Sequence, residues 1–359
     1  MSLPKLYIPG PVDIAQSTYE AMMTPVIGHR GGDFEALYAD IQPGLKELFK
    51  TDGQVFICTS SAWGIMEGSV RNLVKKKVLN LCCGAFSDKW YGVSQSCGKE
   101  AEKIQVEWGE AIDPEAVRAK LEEGGFDTVT MVHNETSTGV LNNLEEIAKV
   151  VKSFDDVLLV VDTVSSFSAV PINFDELGID VQLCGVQKAL ALPPGLSLFT
   201  ISDAALERAK SVETRGYYFD FAEFHKNGEK NNTPSTPAVT LMYALRERVK
   251  AILEEGLENR FARHKKTNSM VHKWVEKHGF EHFAPEGNRS LTLTTIANNK
   301  DMDVSAFVKA LRAKHNVLIN GGYGKIKGTT FRISNMGNET EETIGTLIGQ
   351  LDDVVPDFI

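Results

Sequence analysis

The chain has 359 residues, of which 42% are hydrophobic and 24% are charged, an ordinary composition for a globular enzyme. This length predicts one large domain with a smaller one, or two comparable domains. The formal net charge of −10 argues against a nucleic acid partner, because proteins bind the phosphate backbone through basic surfaces. No apolar run approaches a membrane span and no secretory signal opens the chain, so we expect a cytoplasmic protein and no membrane partner.

The cysteines give no sign of a metal site or of disulfides. Their number is odd, and no two of them form a CxxC pair. Reduced thiols in a cytosolic protein are the ordinary interpretation of this pattern. We therefore expect no bound metal, and five free thiols at Cys58, Cys82, Cys83, Cys97 and Cys184.

The first two thirds of the chain alternate short apolar runs with helical patterns. This alternation is typical of an α/β fold with a mostly parallel sheet. The run at 157–161 contains only valine and leucine, as a strand buried on both faces should. The pattern predicts strands at 55–58, 78–82, 128–132, 157–161 and 180–185, with helices at 63–75, 114–123 and 144–153.

The pattern changes near Pro237. Residues 238–278 are largely helical and charged, which predicts one long helix that bridges two domains. From about Phe280, strands at 290–296 and 330–334 mix with helices at 304–314 and 341–351, which predicts a smaller α+β domain. We assign residues 15–245 to the large domain, and residues 1–14 and 246–359 to the small one.

The segment after the first predicted strand has the composition of an anion site. Ser61, Ala62 and Trp63 stand directly before a helical pattern. The free N–H groups and the dipole at a helix N-terminus attract anions such as phosphate. Serine capping of the helix explains the same residues without a ligand, so both interpretations stay open at this point.

Aromatic and polar residues follow the next two strands. Phe86 comes after the second strand, where an aromatic side chain belongs either to the core or against a flat ligand. The third strand leads into a polar cluster at 133–139, which is consistent with a capped turn or with a ligand-binding loop. Ligands of open α/β sheets bind beyond the carboxyl ends of the strands, so we expect these residues to lie near one another.

The fourth and fifth strands end in an acid and a lysine. Asp162 closes an apolar run, and a carboxylate in such surroundings needs a cationic partner, although capping alone would also explain it. Lys188 lies between apolar segments, where lysine is rarely buried without a role or a partner. Burial lowers the pKa of a lysine and suits it to Schiff-base chemistry.

Together these strand ends supply the parts that pyridoxal 5′-phosphate (PLP) requires. They are an anion site, an aromatic side chain, a hydroxyl cluster, an acid for the pyridine nitrogen and a lysine for the aldehyde. The acid keeps the ring nitrogen protonated, and a lysine released by substrate can move a proton between carbon atoms. The conjunction predicts a PLP enzyme.

The same residues resemble the class V aminotransferases among the fold-type I PLP enzymes. The motif residues are 161–166, 185–190 and 193–195, with further matches at 9–11, 28–30, 59–67, 84–90, 135–139, 321–322 and 331–333. The resemblance covers nearly the whole chain. It implies a fold-type I PLP transferase, with a large domain whose mostly parallel sheet lies between helices and a smaller C-terminal α+β domain.

The resemblance also implies individual roles. Lys188 carries the cofactor as a Schiff base, and Asp162 pairs with the pyridine nitrogen. Phe86 and Val164 pack on the two faces of the ring, and Ser137 bonds near the phenolic oxygen. Arg332 clamps the substrate carboxylate through its fork of donors. The residues implied at the phosphate are Ser61, Ala62, Trp63 and Gln187.

A homodimer with shared active sites is implied by a further match. Residues 232–236 resemble a segment that reaches the phosphate of the neighbouring subunit, and this assigns cofactor contacts to Asn232, Thr233 and Thr236. His29 and Arg30 are candidates for substrate contact near the mouth of the site. A structural pair within a loop is the alternative interpretation for these two residues.

Two branches of the family fit the motifs. One resembles the alanine–glyoxylate and serine–pyruvate aminotransferases, which implies ping-pong transfer of an amino group from serine or alanine to glyoxylate or pyruvate. The other is phosphoserine aminotransferase, which the match at 232–234 and the pair His29-Arg30 support. The second His-Arg pair of that branch is missing here, and Lys325 and Lys327 in its place are consistent with a phosphate contact or with simple solvation on a loop. A cysteine desulfurase would need a cysteine after Cys184, and a Rossmann dehydrogenase would need GxGxxG after the first strand; both are missing. A regulatory protein without activity is disfavoured, since it would not need the acid, the lysine and the arginine together.

Overall fold

The computed structural model describes residues 3–359 as a mixed α/β fold with two main sheets. Elements are numbered along the chain. The strands are β1 (Lys5–Leu6), β2 (Val55–Cys58), β3 (Lys77–Cys82), β4 (Glu100–Gln105), β5 (Phe126–Val132), β6 (Asn134–Glu135), β7 (Val140–Leu141), β8 (Leu158–Asp162), β9 (Val181–Gly185), β10 (Ser197–Ile201), β11 (Glu281–His282), β12 (Leu293–Ala297), β13 (Val317–Leu318), β14 (Asn320–Gly321) and β15 (Thr330–Ser334).

The helices connect these strands and cover both sheets. They are α1 (Gln16–Met22), α2 (Gly32–Phe49), α3 (Ala62–Leu73), α4 (Ala85–Ser96), α5 (Pro114–Glu122), α6 (Leu144–Lys152), α7 (Phe174–Leu177), α8 (Asp203–Lys210), α9 (Phe221–Gly228), α10 (Val239–Glu255), α11 (Leu257–Lys277), α12 (Val304–His315) and α13 (Glu341–Val354), with short 3₁₀ turns at Gly324–Ile326 and Val355–Asp357.

The larger sheet has seven strands in the order β2-β10-β9-β8-β5-β3-β4. Within it only β10 runs antiparallel to its neighbours. One face of the sheet packs on α3, α4, α8 and α9. The opposite face packs on α2 and α10 near β2, and on α5 and α6 near β3 and β5. Every residue of β5, β8 and β9 is buried, which explains why their sequences are largely apolar. The predicted α/β fold with a mostly parallel sheet between helices is confirmed.

The second sheet is antiparallel and has the order β11-β12-β15-β14. Helices α11, α12 and α13 pack on it around a core that includes Trp274, Phe307 and Phe331. Strand β1 pairs in parallel with β13, so residues 5–6 join the C-terminal part of the chain. The domain boundaries at residues 15 and 245 stay a prediction, and residues 1 and 2, which that prediction placed in the small domain, lie outside the described part.

The prediction of one long helix over 238–278 is wrong. Helix α10 ends at Glu255 and α11 begins at Leu257, with Gly256 between them at φ +81° and ψ 135°. A positive φ is strained for residues with a Cβ atom, and glycine adopts it freely. The single glycine between two helical patterns was therefore the signal for a break.

The sequence predicted neither a membrane partner nor a bound metal. Within residues 3–359, no helix is long and apolar enough to cross a bilayer. The His, Cys, Asp and Glu side chains of these residues form no group of three or more that could hold a metal ion. The five cysteines are free thiols, and four of them are buried.

Two arginines fix the loop that follows β9. Arg260 on α11 is fully buried and donates from Nε to the carbonyl of Ser168 (2.9 Å) and from Nη2 to the carbonyl of Ala189. Arg248 on α10 donates from Nε to the carbonyl of Leu190 at 3.0 Å. Burial lowers the pKa of Arg260 to about 9, so its charge depends on these hydrogen bonds and on the ion pair of its Nη1 with Glu255 Oε2 at 3.0 Å. The helices on either side of Gly256 thus hold the residues that directly follow Lys188.

We expect Arg260→Met to lower the free energy of unfolding by about 2 kcal/mol or more. Two carbonyl groups would lose their donor, at roughly 1–3 kcal/mol for each buried group left unpaired. Urea titration followed by tryptophan fluorescence measures the change. Arg246→Met is the matched control on α10, because the exposed pair of Arg246 with Asp40 spans 3.6 Å and should contribute less than about 1 kcal/mol. Equal losses in both variants would contradict the role of Arg260.

Candidate active site

A cavity of about 260 Å³ opens at the carboxyl ends of β5, β8 and β9. The starts of α3 and α4 form part of its wall, and the second sheet completes it through β14, β15 and the loop between them. This is the position at which open α/β sheets bind ligands. Nine of the predicted site residues line the cavity: Ser61, Ala62, Trp63, Phe86, Asp162, Val164, Gln187, Lys188 and Arg332.

Lys188 is buried and held by two hydroxyl groups. Its Nζ donates to Thr136 Oγ1 at 2.8 Å and to Ser165 Oγ at 2.7 Å, and the two hydroxyl oxygens are 2.5 Å apart. Burial lowers the pKa of Lys188 below its usual range, and the nearby carboxylate of Asp162 opposes this shift. A larger fraction of the amine is therefore neutral near pH 7 than in an exposed lysine. A neutral, oriented amine is ready to act as a nucleophile or a base.

Asp162 is a second buried ionisable group at this end of the sheet. Its Oδ1 accepts a hydrogen bond from the amide of Val164 at 2.7 Å. Burial raises the pKa of Asp162, and the hydrogen bond and the charge of Lys188 lower it by less. Within residues 3–359 the carboxylate makes no salt bridge of hydrogen-bonding length. A cationic N–H group placed in the cavity would therefore stabilise its charged form.

The N-terminus of α3 offers free donors to the cavity. Ser61 is the N-cap residue and is extended, but its side chain makes no capping hydrogen bond. Within residues 3–359 the amides of Ala62 and Trp63 have no acceptor, as expected in the first turn of a helix. Such amides together with the helix dipole form an anion site.

Glu135 organises the start of α4 and was not singled out from the sequence. It is fully buried and accepts hydrogen bonds from the amides of Phe86 (3.2 Å) and Ser87 (3.0 Å). Gly84 makes room for it, since a Cβ atom there would lie 2.3 Å from Glu135 Cγ. A carboxylate at a helix N-terminus stabilises both the helix and its own charge. Glu135 thereby fixes the backbone of Phe86 at the cavity wall.

The structure places Ser137 differently from the prediction. Its side chain is fully buried outside the cavity, where Oγ donates to Glu135 Oε1 at 2.7 Å and accepts from the amide of Ala85 at 2.9 Å. Asn134 and Thr136 line the cavity instead. Strand β6 ends at Glu135 and residues 136–139 form a turn, which directs Thr136 into the cavity and Ser137 towards Glu135. The buried Oδ1 of Asn134 has no hydrogen-bond partner within residues 3–359.

Arg332 on β15 brings a positive charge to the far side of the cavity. Its Nε donates to the carbonyl of Gly321 and its Nη1 to the carbonyl of Thr136, both at 3.2 Å. Within residues 3–359 its Nη2 makes no hydrogen bond, so one arm of the guanidinium fork is unused. Burial lowers the pKa of Arg332 to about 10, which leaves it charged at neutral pH. An oriented guanidinium of this kind matches a carboxylate.

Tyr323 was missed as a site residue, although the motif at 321–322 stands directly before it. It follows β14 and lines the cavity beside Arg332. Its ring stacks on that of Phe86, with centroids 5.5 Å apart and planes inclined by 16°.

Besides Ser137, five more predicted site residues lie outside this cavity within the described chain: His29, Arg30, Asn232, Thr233 and Thr236. Arg30 donates to the carbonyls of Thr233 (3.3 Å) and Pro234 (3.4 Å), and His29 Nε2 lies 3.5 Å from Thr236 Oγ1. The side chain of Asn232 accepts from the amide of the next residue at 2.9 Å. The structure thus brings His29 and Arg30 together with the 232–236 segment, and not with Lys188.

A larger cleft, of about 850 Å³, opens between α6 and the start of α11. It contains none of the predicted site residues, and its walls mix apolar, basic and acidic side chains. Lys149, for example, already pairs with Glu146 at 2.6 Å. Volume alone therefore does not locate the chemistry of this protein, whereas the buried acid, lysine and arginine do.

Known proteins resemble this chain over nearly its full length. The solved structure of alanine–glyoxylate aminotransferase from Nostoc sp. superposes with a TM-score of 0.94 at 30% identity, covering 99% of this chain and 96% of that one. The serine–glyoxylate aminotransferase of Methylorubrum extorquens is 32% identical over 359 aligned residues, or 96% of this chain and 89% of that protein. An uncharacterized aminotransferase of Methanocaldococcus jannaschii is 39% identical over 337 residues, or 92% and 87%.

The family profile described as aminotransferase class-V matches residues 28–344, which is most of the chain. The profile spans all the motif segments around Asp162, Lys188 and Arg332, and it confirms the resemblance that those motifs predicted. The chain therefore belongs to the class-V aminotransferase family.

Proposed function

We propose that this aminotransferase uses PLP to move the amino group of a small L-amino acid, serine or alanine, to a 2-oxo acid, glyoxylate or pyruvate. The observation that carries the proposal is that Asp162, Lys188 and Arg332 line one cavity. They are an acid for a pyridine nitrogen, an amine for an aldehyde and a guanidinium for a carboxylate. The names of the Nostoc and Methylorubrum relatives support the choice of small donors and of glyoxylate.

The residues of the cavity fit PLP. The buried carboxylate of Asp162 lacks a cationic hydrogen-bond partner within residues 3–359, and a protonated pyridine nitrogen would supply one. The unpaired amides of Ala62 and Trp63 suit a phosphate, with Ser61 and Gln187 beside them. When bound, the cofactor supplies a ring that withdraws electrons from the substrate carbon atom that loses its proton.

Lys188 has two tasks in this proposal. Its amine would hold the cofactor at the carbonyl group, and when free it would take the proton from the substrate Cα. The hydroxyls of Thr136 and Ser165 orient Nζ for this transfer. The lowered pKa favours the neutral amine, which is the form that accepts a proton.

The remaining residues orient the reactants. Phe86 and Val164 bring apolar surface to the two sides of the cofactor ring, and Asp162 holds the proton on its nitrogen. Arg332 binds the substrate carboxylate through Nη1 and Nη2 and leaves its Nε bond to Gly321 in place. With the carboxylate held at one end and the amine at the other, the Cα–H bond faces Lys188.

A homodimer completes the site in our proposal. The segment 232–236 carries Asn232, Thr233 and Thr236, and it lies beside His29 and Arg30 of its own chain, away from Lys188. A second copy would bring this segment to the phosphate of its neighbour, and His29 and Arg30 to the mouth of that site. The cytoplasmic location stays a prediction that fractionation of the source cells would check.

The first test is the half-reaction of the purified enzyme with single amino acids. We expect L-serine or L-alanine to convert the bound cofactor rapidly, seen as loss of its absorbance, while O-phospho-L-serine reacts slowly. In Lys188→Ala, borohydride should no longer attach the cofactor to the protein, and conversion by alanine should fall by orders of magnitude. Rapid conversion by phosphoserine and glutamate would instead identify a phosphoserine aminotransferase.

The role of Arg332 has its own test. Arg332→Lys should lower kcat/KM for every amino donor by about 10- to 100-fold, since a hydrogen bond to a charged group contributes roughly 1.5–3 kcal/mol. The absorbance of the bound cofactor should not change. Arg312→Lys is the matched control, because Arg312 is an exposed residue of α12, and this variant should keep wild-type kinetics. A loss confined to one donor would show that Arg332 does not bind the carboxylate that all donors share.

Shared sites predict complementation between two inactive variants. Lys188→Ala lacks its own lysine, and a double variant, Asn232→Ala with Thr236→Val, lacks the segment that serves the partner. After mixing and reassembly we expect about a quarter of wild-type activity, because half of the dimers are mixed and each has one intact site of two. If mixed dimers form, as shown by purification on two different tags, but activity stays at the level of the parents, the segment serves its own chain.

A further inference from the structure

Tyr323 occupies the entrance of the cavity between the two main sheets. Its ring is 48% exposed, and it lies in the loop between β14 and the 3₁₀ turn at Gly324–Ile326. The ring stacks on Phe86, which belongs to α4 on the larger sheet. A side chain of the C-terminal part of the chain thus closes against the wall formed by the N-terminal part.

A second contact fixes this loop. Lys325 Nζ lies 4.7 Å from the centroid of the Trp108 ring, and Trp108 Nε1 donates to Asp88 Oδ2 at 2.9 Å. Asp88 stands two residues after Phe86 on α4. The loop is therefore bound to the start of α4 at both Tyr323 and Lys325, and the position of the Tyr323 ring is set by two independent contacts.

The stacked rings reach from one end of the cavity to the other. Lys188 Nζ lies 5.6 Å from the centroid of Phe86, and the guanidinium carbon of Arg332 lies 5.8 Å from the centroid of Tyr323. An amino acid with its nitrogen near Lys188 and its carboxylate on Arg332 would extend from the Phe86 end of the cavity to the Tyr323 end. Because the cofactor ring lies against Phe86 in the proposed function, the Cα and the side chain of the amino acid would lie beside Tyr323.

The space beside the rings is small. The cavity of about 260 Å³ is below the roughly 300–1,000 Å³ of typical small-molecule sites, and it has to hold the cofactor ring as well. The Tyr323 hydroxyl makes no hydrogen bond within residues 3–359. The contribution of this residue to the wall therefore comes from the volume of its ring.

We propose that the Tyr323 ring, held on Phe86, is the residue that limits amino donors to those with small side chains. The inference rests on the proposed function, because it takes the amine and carboxylate positions from Lys188 and Arg332. A branched aliphatic side chain would have to displace the ring, whereas a methyl or hydroxymethyl group fits beside it. Tyr323 acts on the choice of substrate and exchanges no proton with it.

The test compares donors of two sizes in the half-reaction of wild type, Tyr323→Ala and Tyr323→Phe, each with bound PLP. L-alanine and L-leucine are the probes, and kcat/KM is measured for each from loss of the cofactor absorbance. We expect wild type to prefer alanine, and Tyr323→Ala to raise the leucine-to-alanine ratio by about tenfold or more, since small changes in side-chain fit discriminate by roughly 10- to 200-fold. Tyr323→Phe keeps the ring and should keep the ratio within about twofold.

Each other outcome overturns the proposal. If Tyr323→Ala slows alanine and leucine equally, the ring has only a structural role, and the aminotransferase function stands. The same holds if wild type accepts leucine as well as alanine, or if Tyr323→Phe changes the ratio as much as Tyr323→Ala does. If wild type converts no amino acid at all, the proposed function fails and this inference fails with it.

Discussion

Burying Asp162 and Lys188 at neighbouring strand ends costs free energy in either charge state, because neither group is solvated as it would be in water. The rest of the site is arranged around that constraint. Two hydroxyl groups satisfy the lysine Nζ, and a backbone amide satisfies one oxygen of the aspartate. Arg260 and Arg248 hold the carbonyl groups that directly follow Lys188. A ligand with a cationic ring nitrogen and an aldehyde, such as the PLP proposed above, would reduce the cost of burying both groups.

The positions of five of the seven strands of the larger sheet, and of the acid and the lysine that follow two of them, were predictable, because strands buried on both faces are largely apolar; β4 and β10 were missed. The direction in which each side chain points was not predictable, as Ser137 shows. Ser137 lies in the turn at 136–139 that follows the two-residue strand β6, where no regular alternation sets the direction of a side chain. Gly256 was visible as a glycine, although its φ, and therefore the break between α10 and α11, became evident only from the backbone. The proposed roles of Asn232 and Thr236 depend on a second copy of the chain.

The site is assembled from both parts of the chain. Lys188, Asp162 and Phe86 come from the larger sheet, and Arg332 and Tyr323 from the smaller one. The guanidinium of Arg332 donates to the carbonyl of Thr136, whose hydroxyl accepts from Lys188. One residue thus contacts both the group assigned to the substrate carboxylate and the group assigned to proton transfer. A displacement of the second sheet would therefore alter recognition and chemistry together.

The pairing of β1 with β13 has a consequence for synthesis of the protein. Lys5 lies opposite Val317, which the ribosome adds 312 residues later (317 − 5). At a synthesis rate of roughly 5–20 residues per second, about 15–60 s pass between the synthesis of residues 5–6 and that of their partner strand. During that interval the larger sheet, whose strands lie between residues 55 and 201, can form while the N-terminal segment stays unpaired. In the nascent chain, residues 5–6 therefore stay unpaired until β13 has emerged from the ribosome.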